Sequence, residues 1–198
     1  MRKIIVWTRI SMDGVMQAQP KPEDDPRTGF RWTGWTQQYQ DEAMGKAFAK
    51  MMSIPFDLLL GRSTYEIFKD YWPNQTFEVA NAMNRGNKYV VATRPIELSW
   101  KGSVLIYKDV VSELKKLTDQ DGPDLLVFGS GLLLQTLLAN HLVDVLHIWT
   151  FPITLGVGQK LFQEGIPAQQ WKLTESTTSS TGAIFASFVP DGKVKTDK

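Results

Sequence analysis

Short, nearly unbroken apolar runs recur along the chain, and between them apolar residues return at helical spacing. Residues 3–10 read as a buried first strand, closed by the turn Ser11-Met12-Asp13-Gly14. Further strands are expected at 57–60, 88–92, 104–107 and 125–128. From about residue 38 to 52, Met44, Ala47, Phe48, Met51 and Met52 follow the 3.6-residue period, and Pro55 marks the stop. A helix is expected at about 63–69, ahead of an irregular segment holding Trp72, Pro73 and Asn74. Asp109 is placed to cap a helix carrying Val110, Leu114 and Leu117 on one face, and another helix should open after Gly131 and end near Asn140.

Strands therefore alternate with helices through the middle of the chain, which predicts an α/β fold with a largely parallel sheet covered on both faces. Beyond His141 the rhythm changes. A long strand at 143–151, a glycine-rich excursion at 152–162 and a hairpin around Ser179-Ser180-Thr181-Gly182 predict an antiparallel finish. Residues 17–40 break the pattern: Pro20, Pro22 and Pro26 with Glu23, Asp24 and Asp25 argue against regular structure there. The stretch is then a disordered segment or a functional lid. Its end carries Phe30, Trp32, Trp35 and Tyr39, more aromatic surface than a solvated linker needs.

The chain has 198 residues, 42% of them hydrophobic, which suits one domain at 1–190 with a free tail at 191–198. Lysine and arginine number 22 against 21 acids, so a net charge of +1 offers no field that would collect nucleic acid or membrane. Any anion site must be local. There are no cysteines, which excludes disulfides, thiolate metal sites and thiol catalysis, and two histidines are too few for a multi-histidine metal centre. No apolar run approaches the length of a membrane span and no secretory leader is evident, so a cytoplasmic protein is expected.

Two glycine turns carry the candidate chemistry. Leu125-Leu126-Val127-Phe128-Gly129-Ser130-Gly131 runs an apolar strand into a Gly-x-Gly turn that opens a helix. Helix starts leave N–H groups unpaired, and glycine lets a pyrophosphate approach the backbone. The third glycine of a dinucleotide fingerprint would fall at Leu134, so this pattern alone is incomplete. Leu58-Leu59-Leu60-Gly61-Arg62-Ser63-Thr64 repeats the design with a cation and two hydroxyls. Each turn also has a plain reading, the first as a tight strand-to-helix turn and the second as a helix cap beside a surface arginine. The functional reading requires both turns to lie on one edge of a shared sheet, close enough to grip a single molecule.

The order Ser11-Met12-Asp13-Gly14, Gly61-Arg62-Ser63-Thr64-Tyr65-Glu66, Val127-Phe128-Gly129-Ser130-Gly131 and Pro152-Ile153-Thr154-Leu155-Gly156-x-Gly158-x-x-Leu161-Phe162 resembles the dihydrofolate reductase superfamily. Within it, the chain is most similar to the C-terminal reductase domain of bifunctional riboflavin biosynthesis enzymes and its free-standing relatives. The resemblance spans residues 1–190. It implies a mixed eight-stranded sheet with helices on both faces, NADPH as cofactor and a homodimer. The implied reaction is hydride transfer to a small polar molecule, either one like 5-amino-6-(5-phosphoribosylamino)uracil or a pterin. It places Gly129, Ser130, Gly131, Leu132, Gly61, Ser63 and Thr64 around the pyrophosphate and Arg62 near the 2′-phosphate. Thr93 and Arg94 fall at the adenosine, and Thr8, Arg9 and Met16 at the nicotinamide. The chain departs from the pattern in two ways: the zinc deaminase half has no counterpart, and Ser130 stands where dihydrofolate reductases have the second of two glycines joined by a cis peptide.

A reductase needs a proton source, and the sequence offers Asp13, Asp41 or water. Asp13 is read either as that donor or as a turn former. Asp41 is read either as a substrate carboxylate on the buried side of its helix or as a helix cap. Trp32 and Trp35 either wall a planar substrate, fill a dimer seam or pack a lid. His141 and His147 are expected to be structural. Binding of a nucleotide or pteridine without turnover is the alternative function.

Overall fold

The computed structural model describes residues 1–18 and 29–196, so the Pro20–Pro26 cluster with its acids lies outside the described residues. Eight strands form one sheet in the order β4-β3-β2-β5-β1-β6-β8-β7. The strands are β1 (Ile4–Ser11), β2 (Phe56–Gly61), β3 (Lys88–Val91), β4 (Ser103–Ile106), β5 (Asp124–Phe128), β6 (Val145–Phe151), β7 (Trp171–Thr178) and β8 (Ile184–Pro190). The first six pair in parallel, whereas β8 runs antiparallel to both β6 and β7. The mixed, mostly parallel sheet and its antiparallel finish are as the sequence predicts.

Among the described residues, five α-helices cover the sheet: α1 (Glu42–Met52), α2 (Arg62–Tyr71), α3 (Glu78–Arg85), α4 (Val110–Thr118) and α5 (Gly131–Ala139). Period-two alternation along the strands divides their buried side chains between two cores. One core joins Trp7, Leu58, Leu60, Leu126 and Phe128 to Met44 and Met52 of α1, Tyr65 of α2 and Met83 of α3. The other joins Ile4, Val6, Leu59, Leu125 and Val127 to Leu114 and Leu117 of α4 and Leu133, Leu134, Leu137 and Leu138 of α5. The sheet thus forms the middle layer of three.

Four local features differ from the sequence reading. The expected helix at 38–52 is a 3-10 turn at Gln37–Tyr39 followed by α1, because Asp41 is extended and its side chain accepts from the Met44 N–H. The sequence reading contains no helix α3, whose apolar residues Val79, Ala80, Ala82 and Met83 are short and interrupted by polar ones. Asp109 precedes α4 in the left-handed conformation, φ 46°, with no side-chain cap. The tail does not begin free, since Asp191 donates to the Gln170 carbonyl and Gly192 accepts from the Gln170 N–H. At the amino ends of the parallel strands, Arg2 and Asp57 form a buried ion pair whose carboxylate also receives the Asn87 N–H.

Candidate functional site

Parallel strands aim all their carboxyl ends at one edge of a sheet, which is where α/β folds bind ligands. Here β2 and β5 are neighbours, so Gly61 and Gly129 emerge side by side. The Ser130 hydroxyl fastens them together. It accepts from the Gly61 N–H at 2.9 Å and donates to Thr64 Oγ1 at 2.8 Å. Ser130 holds φ 66° and Gly129 φ 53°, two successive left-handed residues that turn the chain sharply into α5. All described peptide bonds are trans, that between Gly129 and Ser130 included.

A groove of about 1520 Å³ lies above this edge. It is lined by Thr8, Arg9, Met16, Gly61, Arg62, Ser63, Thr64, Thr93, Gly129, Ser130, Gly131 and Leu132, so the structure brings these sequence-proposed residues together. A smaller notch of about 420 Å³ continues past α2, with Arg62, Lys69 and Arg94 among its walls. Arg62 borders both spaces and makes a half-exposed ion pair with Glu66 at 2.8 Å. Leu132 projects from the first turn of α5 and is 76% exposed. A dinucleotide phosphate fits this architecture: two helix starts, a clustered set of hydroxyls, and a far notch where Arg62, Lys69 and Arg94 stand with Glu66 and Glu97.

The groove also contains residues that the sequence reading passed over. Gln159 lies against Gly131, where a Cβ would come within 2.1 Å of the glutamine amide, so a larger residue at the start of α5 would push the Gln159 side chain aside. Trp7, Phe48, Phe68, Trp72, Met83 and Phe128 line the groove from the α1–α3 face. Their rings form a chain, with centroids 5.4 Å apart for Trp7–Phe48, 5.5 Å for Trp7–Phe128, 6.1 Å for Phe68–Phe128 and 5.8 Å for Phe68–Trp72. These residues come from six separate elements, and no local motif announces them.

Other candidates have different tasks. Asp13 accepts from Ser11 Oγ, from the Leu155 N–H at 3.1 Å and from the Gly156 N–H at 2.8 Å. Those bonds, led by the Ser11 hydroxyl, hold its carboxyl down at about 2, so it is ionised at neutral pH and a poor proton donor. Asp41 caps α1 with one oxygen while the other accepts from the Ser180 N–H and hydroxyl, tying the helix to the β7–β8 turn. The Met44 N–H first, and Ser180 with it, lower its pKa. Neither carboxylate lines the groove. Trp35 is buried, donates its indole N–H to the Gln17 carbonyl and meets Phe151 edge to face; Trp32 is exposed and also lies off the groove, whereas Phe30 lines it.

His147 bonds Ser187 and stacks on Phe185 between β6 and β8. His141, just beyond α5, meets Gln169. Among the described residues, no three side chains able to ligate a metal gather. Nor is any described helix long and apolar enough to cross a membrane.

With this geometry in hand, the chain compares as follows. The model of the family described as RibD C-terminal domain matches residues 2–185. The Bacillus subtilis (strain 168) protein YyaP is 23% identical over 188 residues, covering 92% of each chain. Among solved structures, a Shewanella sp. PV-4 protein described as a riboflavin biosynthesis protein superposes with a TM-score of 0.67 at 18% identity, covering 96% of this chain and 99% of its own. A pyrimidine reductase-like protein of Corynebacterium diphtheriae gives 0.65 at 11% identity, covering 96% and 92%. Dihydrofolate reductase from Enterococcus faecalis, in complex with NADP(H) and RAB-propyl, gives 0.60 at 13% identity, covering 96% of each chain. At these identities the structural matches establish the fold.

Proposed function

The chain belongs to the RibD C-terminal domain family, and on that premise we propose that it is an NADPH-dependent reductase acting on a small planar substrate. Family and fold support a reductase-type function. The observation that carries the cofactor is the fastening of two helix-opening glycine turns by Ser130 on one sheet edge, beside a notch that gathers Arg62, Lys69 and Arg94.

Bound there, NADPH would supply a hydride. The chain's own residues position and select. The N–H groups at the starts of α2 and α5, with Ser63 and Thr64, hold the pyrophosphate. Arg62 and Arg94 pair with the 2′-phosphate, which favours NADPH over NADH. Thr8 and Met16 border the part of the groove assigned to the nicotinamide. Trp7, Phe48 and Phe128 exclude water from one wall. With Asp13 and Asp41 both engaged elsewhere, water supplies the proton.

Titration of the purified protein with NADPH and with NADH, followed by fluorescence or calorimetry, tests the cofactor. Saturable micromolar binding that favours NADPH is expected, and no saturable binding of either refutes the proposal. The absence of a groove-lining acid among the described residues also favours a second reading, in which a nucleotide is bound without turnover. Oxidation of NADPH with a carbonyl, imine or dihydropterin acceptor, abolished in Arg62→Ala, would dismiss it.

A further inference from the structure

Among the described residues, Arg9 is a cation without a counter-ion. It follows Trp7 by two residues on β1, so both side chains leave the same face of the strand, and its guanidinium carbon stands 4.8 Å from the centre of the Trp7 ring. Its Nε is sealed from solvent and has no hydrogen-bond partner, and no carboxylate among the described residues forms an ion pair with it. Burial alone pulls its pKa from 12.5 to about 10. Arg9 is half-buried, and a partly covered charge with a sealed, unpaired N–H is costly, which makes it a place for a ligand to complete. The Trp72 indole N–H, on another wall of the same groove, is likewise covered and unpaired.

Around Arg9 the surface is aromatic. Trp7, Phe48, Phe68 and Phe128 supply flat apolar area from β1, α1, α2 and β5. Among the described residues that line the groove, the only other formal charge is Arg62, which sits at the α2 turn assigned to the cofactor. A ribosyl phosphate calls for several converging cations or N–H groups, and a pterin for a carboxylate that accepts its amino and ring N–H protons. The described wall provides neither set.

We infer that the substrate is a flat aromatic molecule bearing an anionic oxygen, a carboxylate or a phenolate, which pairs with Arg9 while its ring lies among Trp7, Phe48, Phe68 and Phe128. The inference rests on the same groove as the proposed reductase and names the class of molecule it takes. Specificity then has two separable parts: ring area sets overall affinity, and Arg9 sets the preference for charge.

Calorimetric titration of the full chain, without NADPH, with 2-naphthoate and its neutral counterpart 2-naphthylmethanol tests the inference. Wild type should bind naphthoate at least tenfold more tightly than the alcohol. Arg9→Met should reduce that ratio to near one and Arg9→Lys should restore part of it. Phe68→Ala should weaken both probes while leaving the ratio intact. Equal affinity for the two probes in wild type, or a charge preference that survives in Arg9→Met, overturns the inference. The wild-type comparison decides the matter even if Arg9→Met fails to fold. A parallel NADPH titration separates the two proposals: NADPH binding without naphthoate preference removes only the substrate class, whereas naphthoate preference without NADPH binding removes the reductase and leaves the anion site standing.

Discussion

Ser130→Ala removes the one hydroxyl that joins the two glycine turns. In the wild type its oxygen accepts from the Gly61 N–H and donates to Thr64 Oγ1. The alanine keeps the Cβ and the left-handed backbone, so the conformational strain at position 130 is unchanged and cancels from the comparison. Two hydrogen bonds are lost in a half-buried setting, where each contributes about 0.5–1.5 kcal/mol net. The expected loss is therefore about 1–3 kcal/mol, which at about 2–4 °C per kcal/mol in a chain of this size lowers Tm by roughly 2–12 °C. Ser130→Gly loses the same bonds but relieves the left-handed penalty of about 1–2 kcal/mol, so its Tm should fall less than that of the alanine variant. Thermal denaturation gives Tm, and an NADPH titration of each variant gives affinity, which should fall several-fold in both because the turns no longer hold their spacing. If alanine and glycine variants both match wild type in Tm and in NADPH affinity, the hydroxyl does not fasten the site and the reasoning fails.

Four further outcomes follow from the same geometry. Arg62→Ala should weaken NADPH about ten- to a hundredfold and NADH by much less, as read by competitive titration, because one charge-assisted contact is worth about 1.5–3 kcal/mol. Asp13 has a depressed carboxyl pKa, so its stabilising contribution is complete above pH 4 and is lost as pH falls toward about 2. Asp13→Asn should flatten acid denaturation in that window while leaving any neutral pH–rate profile in place; a displaced profile would restore Asp13 as the proton donor. Asp41→Ala should lower Tm and loosen the β7–β8 turn, visible as faster amide exchange at Ser180, with reductase turnover unchanged. Gly86→Ala should be strongly destabilising, by about 1–3 kcal/mol or more, since its Cβ would meet the Phe56 carbonyl oxygen at 2.3 Å; a chemical-denaturation midpoint equal to wild type would contradict the packing.

Where a physical rule acts over a few neighbouring residues, the sequence was readable. The apolar runs at 57–60 and 125–128 needed only burial on both faces to be strands, and the glycines after them needed only a helix start to mark anion cradles. Prediction failed where a side chain's partner is remote. Asp41 follows the helical stripe in sequence, yet its second oxygen is claimed by Ser180, 139 residues away. Asp13 reads in sequence as an available acid, whereas in the fold Gly156, 143 residues further on, donates to it. Trp32 and Trp35 drew attention because they cluster in sequence, whereas Phe48, Phe68 and Trp72, which line the groove, are scattered over α1, α2 and the turn after it. Arg9 was legible as a strand residue near the site, but its lack of a counter-charge is a property of the folded surroundings.

The position of β1 has a consequence for how the molecule is made. It is the first strand in the chain and lies inside the sheet, and its backbone N–H groups at Lys3 and Ile4 reach carboxylates 121 and 140 residues onward. During synthesis from that end, the Ile4-Ile5-Val6-Trp7 run waits, sticky and unmatched, until β5 and β6 have left the ribosome to enclose it. Truncations anywhere before Phe151 should accordingly yield insoluble product, and holdase chaperones should matter more for yield than growth temperature does.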